Sequence, residues 1–202
     1  MKILLPSVYF GNIEWFSLLL EAEEVCIEHH EHFVKQTFRN RCEIYGANGK
    51  LDLIVPIRKG RSERTVMQNA LIDNSTRWQV LHLRSIESGY RRSPYFEYYE
   101  EKINTLFKQP FERLTDLNTA CTTFILDQLR IEKNISYSSS YEKMKEGFED
   151  YRDHFSPKIE TSFRHDEYIQ VFEPKYGFIR NLTTLDVLFN LGPQGISILR
   201  KK

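Results

Sequence analysis

The chain has 202 residues, about one domain at a typical size of roughly 100–200 residues. Lys and Arg together number 28 and Asp and Glu 28, a formal net charge of zero, which argues against the basic excess of a generic nucleic-acid binder. Hydrophobic residues at 41% and aromatics at 13% exclude a disordered chain, and three widely spaced cysteines, Cys26, Cys42 and Cys121, make neither a disulfide framework nor a CxxC metal motif.

The first apolar run stops at Pro6, short of a signal-peptide core, and no later run approaches the ~20 residues of a membrane span. These features predict a cytoplasmic protein with no membrane insertion. Residues 2–5 form a strand candidate, and Asn12 suits the cap of a helix whose apolar positions are Trp15, Phe16, Leu18, Leu19 and Leu20. Residues 25–28 look like a second strand. Residues 41–45 and 51–57 are rich in β-formers and flank Asn48-Gly49, the strongest short-range hairpin signal because both residues tolerate positive φ. Residues 58–65 are mostly charged and read as a mobile basic loop.

Three helices follow. Ser75 or Thr76 would cap the first, which carries Trp78, Val80, Leu81, Leu83 and Ile86; Pro94 stands at the start of the second, ending near Phe107; Thr115 would cap the third, running to about Lys133 with an apolar stripe through Leu117, Cys121, Phe124, Ile125 and Leu129. Residues 135–137 suggest a short strand, residues 141–164 have no readable period, and residues 168–172 look like a strand. Thr183 or Thr184 would cap a helix over 185–191 that Gly192-Pro193 ends. Early strands, middle helices and a closing strand and helix predict an α/β or α+β fold: a single domain over residues 1–202, with a small mixed sheet packed by about four to six helices.

Several residues could carry chemistry. Glu28-His29-His30-Glu31-His32 places His30 and His32 on one face of an extended backbone, but the spacing is not the helical HExxH pattern, and no metal is assigned. Lys35, Arg39 and Arg41, with Asn40 between the arginines, form a compact basic set that could hold a nucleotide-sugar or phosphate, or pair with neighbouring acids. Tyr90 and the Ser93-Pro94-Tyr95-Phe96 segment offer stacking faces or an aromatic helix contact. His165 could serve as a general base or lie in a loop, while Tyr168 and Gln170 would share a strand face. Asp186 and Asn190, four apart, share a helix face, where Asp186 could orient a site residue or complement the helix dipole. The phosphate loop GxxxxGK[ST], the dinucleotide fingerprint GxGxxG and the nucleophile elbow GxSxG are all absent, which removes P-loop kinases, simple Rossmann dehydrogenases and α/β-hydrolases from the leading classes.

Five motifs in order resemble the WbqC-like family: Leu5-Pro6-Ser7-Val8-Tyr9-Phe10-Gly11; Lys35-Gln36-Thr37-Phe38-Arg39-Asn40-Arg41; Leu53-Ile54-Val55-Pro56; Tyr90 with Ser93-Pro94-Tyr95-Phe96; and Tyr168-Ile169-Gln170 followed by Leu182-Thr183-Thr184-Leu185-Asp186-Val187-Leu188-Phe189-Asn190-Leu191-Gly192. Leu5 departs from the family's usual Gln, and His29 and His30 stand where many members carry an acid. The resemblance implies a role in bacterial surface-polysaccharide, or O-antigen, biosynthesis. It makes Lys35, Asn40, Arg41, Tyr90, Tyr168, Gln170, Asp186 and Asn190 site candidates and carries over no catalytic role; on the residues themselves, substrate binding falls to these positions and the proton to His165 or, failing it, Asp186. The expected activity is group transfer onto an amino or hydroxyl position of a nucleotide-activated sugar, with cofactor and oligomeric state unspecified. A non-catalytic ligand-binding or scaffold protein of the same pathway is the alternative.

Overall fold

In the computed structural model, which describes residues 1–58, 65–159 and 161–200, the chain opens with strand β1 (Lys2–Pro6), crosses through helix α1 (Ile13–Glu21) and returns in β2 (Glu24–Glu28), parallel to β1 with Leu4 opposite Cys26. Both strands are buried from their second residue on, as continuous apolar runs are in a parallel sheet covered on its faces. The side chain of Asn12 accepts from the Trp15 N–H at 2.9 Å and so caps α1 as its residue type suggests.

The hairpin β3 (Arg41–Gly46) and β4 (Gly49–Ile54) is a separate two-stranded sheet. Its register pairs Gly46 with Gly49, so Ala47-Asn48 is the connection, one residue before the expected Asn48-Gly49. Of that dipeptide only Gly49 takes a positive φ. β4 ends at Ile54, short of the predicted residue 57, because Pro56 has no N–H to extend the ladder. The predicted basic loop lies almost entirely outside the described residues.

Helices α2 (Trp78–Tyr90), α3 (Phe96–Phe107) and α4 (Leu114–Gln128) fill the middle of the chain. Their ends differ from the sequence reading for local reasons. Ser75 does not cap α2; its N–H and hydroxyl both bond Asp73, and Arg77 is the cap. Pro94 lies ahead of α3, whose cap is Tyr95. Thr115 lies inside the first turn of α4, and the helix stops before Lys133 because Arg130 adopts a left-handed backbone with φ 56°.

Strands β5 (Ile135–Tyr137) and β6 (Glu149–Asp150) complete a four-stranded sheet in the order β5-β2-β1-β6, every adjacent pair parallel. Residues 168–172 are not a strand: the run pairs with no neighbour and leads into the short helix α5 (Glu173–Tyr176). The side-chain amide of Gln170 supplies the missing ladder, accepting from the Ile179 N–H and donating to the Ile179 carbonyl, each at 2.9 Å. Helix α6 (Thr184–Leu191) is capped by the Thr183 hydroxyl and ended by Gly192 at φ 58°, where an added Cβ would lie 2.5 Å from the Tyr95 ring. A last turn, α7 (Ile196–Leu199), packs against α1. The fold is α/β, with parallel strands, an antiparallel hairpin and helices around one cluster of buried apolar side chains.

One internal hydrogen-bond chain links the β1–α1 connection, α2 and β4. The Ile54 carbonyl can only accept, so the buried His82 carries its proton on Nε2 (3.2 Å) and accepts the Tyr9 hydroxyl at Nδ1 (2.9 Å). Burial holds this imidazole neutral and pushes its pKa down from 6.5 to about 4. The unfolded chain therefore binds the proton first, so the contribution is complete above pH 6.5 and is lost as pH falls toward 4. Urea unfolding of the wild type and of His82→Gln at pH 7 and pH 4 checks this: the wild type is expected to lose about 3 kcal/mol more than the variant over that interval.

Candidate functional site

The strand order sets where a site can form. From β1 the chain moves to β2 and β5 on one side, and β6 returns to the other side of β1. The order reverses between β1 and β6, and open α/β sheets bind ligands in the crevice outside the carboxyl ends of strands at such a point. α1 begins just after β1, and the turn carrying His154 comes just after β6. A cleft of about 260 Å³ lies there, lined by Glu14, Phe38, Glu43, Lys50, His154, Phe155, Thr161, Ser162 and Asn181 among others.

Glu14 is the most heavily bonded side chain in this cleft. Its Oε1 lies 2.8 Å from His154 Nε2, and its Oε2 accepts from the Thr161 hydroxyl at 2.8 Å and from Asn181 Nδ2 at 3.2 Å. Asn181 also accepts the Glu14 backbone N–H through Oδ1 at 2.9 Å, so one asparagine holds both ends of the residue. Asn181 reaches this position from a left-handed backbone with φ 56°, which asparagine adopts more readily than most residues. The carboxylate sits in the first turn of α1, where the helix dipole favours negative charge. A carboxylate can only accept, so His154 donates to it through Nε2, and in the neutral ring Nδ1 then holds the lone pair. His154 is half exposed, while Glu14 is nearly buried.

The residues expected to act together fall into three places. Tyr90, Tyr168, Gln170, Asp186 and Asn190 do converge, but in the interior, and all five are buried. Asp186 Oδ2 accepts from the Tyr168 hydroxyl at 2.6 Å and from Gln170 Nε2 at 2.9 Å, and Asn190 Nδ2 donates to the Asp186 carbonyl at 2.8 Å. The Tyr90 hydroxyl accepts the Tyr45 N–H at 3.0 Å and also helps to stabilise the Asp186 carboxylate. Burial still raises the Asp186 pKa, outweighing these hydrogen bonds. The network closes the loop between Gln170 and Ile179 and so delivers Asn181 to Glu14.

His165 stands one hydrogen bond behind the cleft. Its Nε2 accepts the Asn181 N–H at 3.2 Å and its Nδ1 faces the Asp166 carbonyl at 2.8 Å, so both nitrogens are engaged. Burial lowers its pKa, which keeps the neutral ring needed for that pattern. Lys35 is exposed in the turns before the hairpin. Asn40 is buried and donates to the Val55 carbonyl at 2.8 Å, and Arg41 pairs with Asp52 at 3.2 Å. Arg41 and Glu43 lie two apart on β3, on the same strand face, which places Arg41 one pleat from a residue of the cleft wall.

The histidine cluster after β2 splits up. His29 stacks on Tyr137, His30 Nδ1 lies 3.2 Å from the Ser138 hydroxyl, and His32 is exposed. The acids between them are tied to arginines: Glu31 forms a two-bond pair with Arg39 at 2.8 and 2.6 Å, and Glu28 meets Arg152 at 3.1 Å. Among the described residues no three His, Cys, Asp or Glu side chains gather as metal ligands, and no helix is long and apolar enough to cross a membrane.

Sequence reasoning did not single out Glu14, His154, Thr161 or Asn181 as site residues. Glu14 carried one signal, an acid in the first turn of a capped helix, which also describes an ordinary dipole partner. His154 and Thr161 fall in residues 141–164, where no hydrophobic period guides the reading.

The chain belongs to the WbqC-like protein family, whose model matches residues 7–158, a span that includes Glu14 and His154. A relative at 24% identity over 225 residues, covering 98% of this chain and 96% of its own length, is the Uncharacterized protein Rv1507c of Mycobacterium tuberculosis (strain ATCC 25618 / H37Rv). No solved structure matches the chain significantly.

The burial of Asp186 makes its substitution a test of the interior network. Asp186→Ala leaves the Tyr168 hydroxyl and the Gln170 amide without their shared acceptor, and is expected to cost roughly 3–5 kcal/mol in urea unfolding. Tyr168→Phe removes one donor and is expected to cost about 1–2 kcal/mol.

Proposed function

We propose that this protein is an enzyme of bacterial surface-polysaccharide biosynthesis that transfers a group onto a hydroxyl or amino position of a sugar, with Glu14 and His154 moving the proton. The observation that carries the reading is the position of this pair: a buried carboxylate orienting a half-exposed imidazole, in the cleft outside the carboxyl ends of β1 and β6. Proton work is assigned to His154 rather than to His165, whose nitrogens are both engaged, or to Asp186, which is buried.

In this reading His154 Nδ1 takes the proton from the acceptor hydroxyl or amine as its oxygen or nitrogen bonds the electrophilic carbon of an activated donor. The donor's leaving group departs with the bonding electrons and receives that proton from Nδ1. Glu14 stabilises the imidazolium formed between the two transfers. Ser162 and Asn181 offer polar groups for sugar hydroxyls, and the rings of Phe38 and Phe155 offer apolar faces for the sugar's C–H surface. Arg41, beside Glu43 on β3, is the group we assign to an anionic substituent such as a nucleotide phosphate, with Lys35 contributing longer-range attraction.

The test combines ligand screening with a transfer assay. Thermal shifts are measured with nucleotide-sugars, amino sugars, acyl-CoA and amino acids, and stabilising pairs are incubated together while product is followed by mass spectrometry. His154→Asn and Glu14→Gln are expected to retain the thermal shift and to slow transfer by about 10²–10⁴-fold. Transfer undiminished in His154→Asn overturns the assignment. Stabilisation by a sugar with no transfer from any donor class favours the non-catalytic binding protein.

A further inference from the structure

We propose that His165 is a positioning residue that gates the Glu14–His154 pair by pH: while its ring is neutral it holds Asn181, and through Asn181 it holds Glu14. This rests on the reading of Glu14 and His154 as the proton-handling pair. The geometry is a chain of single contacts. The Asn181 N–H donates to His165 Nε2 at 3.2 Å, the Asn181 side chain grips Glu14 at 2.9 and 3.2 Å, and Glu14 faces His154 at 2.8 Å.

The first link works in one protonation state only. An N–H donor can meet Nε2 only while that nitrogen keeps its lone pair, and the Asp166 carbonyl opposite Nδ1 needs the ring proton there. Protonation puts a hydrogen on Nε2 that points at the hydrogen of the Asn181 N–H. The contact then turns from attractive to repulsive, and Asn181 loses the support that steadies its left-handed backbone. The side-chain bonds of Asn181 all go to Glu14, while the chain after it is pinned separately, the Leu182 carbonyl accepting the Ile13 N–H at 3.1 Å, so the His165 contact acts on Asn181 itself.

The charged groups around the ring come from two segments. Asp166 and Glu167 follow it in sequence and favour the protonated form, while Arg180 opposes it and bonds the His165 carbonyl at 3.1 Å. Arg180 is itself paired with Glu167, which mutes the effect of that acid. The remaining neighbours are the rings of Phe163, Tyr168 and Phe178, with centroids within 6.1 Å, and they favour the neutral state by excluding water. Neutral His165 is thus the form at neutral pH, and acidification is the direction that releases Asn181.

The backbone gives a direct readout. The Glu14 N–H lies in the first turn of α1, where no helical carbonyl is available, so its protection against hydrogen exchange reports on Asn181 Oδ1. In the full-length protein, exchange protection factors for the Glu14 and Asn181 amides are measured by NMR from pH 8 downward, with the His165 ring signals followed in the same samples. Protection at both amides is expected to fall by roughly tenfold or more, with the midpoint of the His165 titration. His165→Gln, which places a neutral acceptor near Nε2, is expected to keep Glu14 protected and to abolish the step. His165→Leu, which offers no acceptor, is expected to show low protection at every pH.

Glu14 protection that stays flat through the His165 titration overturns the proposal, as does wild-type protection in His165→Leu. If His165→Leu does not fold, the wild-type and His165→Gln profiles decide alone. None of these readouts uses transfer activity. A flat profile alongside a transfer assay that still depends on His154 removes the gate and leaves the pair in place, and the converse removes the pair and leaves the gate.

Discussion

The buried guanidinium of Arg152 is the interaction on which the carboxyl edge of the sheet depends. It bonds both oxygens of Asp150 at the end of β6, reaches past β1 to Glu28 at the end of β2, and donates to the carbonyls of Glu142 and Lys143. The carbonyl of Arg152 in turn accepts from Arg39, which is locked to Glu31. β6 pairs with β1 through only two residues, far too little ladder to hold a strand by itself. A charge-assisted network spanning both flanks of β1 supplies the order that the ladder lacks, and because Glu28, Glu31, Arg39 and Arg152 are buried, losing one of them would leave a buried partner uncompensated.

That network also determines where the side chains of the cleft stand. His154 is two residues beyond Arg152, in the turn that the guanidinium anchors, so the side chain meeting Glu14 is placed from the interior rather than by the surface of the loop. From the other side, the Asp186 network braces the segment that brings Asn181 to the same carboxylate. Glu14 is thereby met by partners that all lie far along the chain, 140, 147 and 167 residues beyond it. Nearly buried and held by three side chains, it has little freedom to leave the imidazole, which is the preorganisation that a base-orienting group needs.

Elements with strong local signals were legible in the sequence. Asn12 reads as a cap and acts as one; the two apolar runs before residue 28 read as strands and pair as such; α6 begins at the Thr183 cap and stops at Gly192. The hairpin was visible from its turn residues, although Gly46 pairing with Gly49 moved the connection by one position. The run at 168–172 misled because period-2 patterning reports which side chains share a side, not whether a ladder partner exists. Tyr168 and Gln170 do point the same way, onto Asp186, but the Gln170 amide takes the part of the missing strand.

The sequence by itself determined the fold class, the family and a set of polar residues that belong together, because helix caps, apolar periodicity and ordered motifs are local properties of the chain. It could not say which of those residues face a ligand. Tyr168, Gln170, Asp186 and Asn190 have the composition of a site and the burial of a core, and burial follows from what packs over a residue, not from its neighbours in sequence. The pairing of Glu14 with His154 was decided only by the tertiary structure. A carboxylate in the first turn of a helix and a histidine in an aperiodic stretch become a pair when β6 docks beside β1, an event fixed by contacts between segments more than a hundred residues apart.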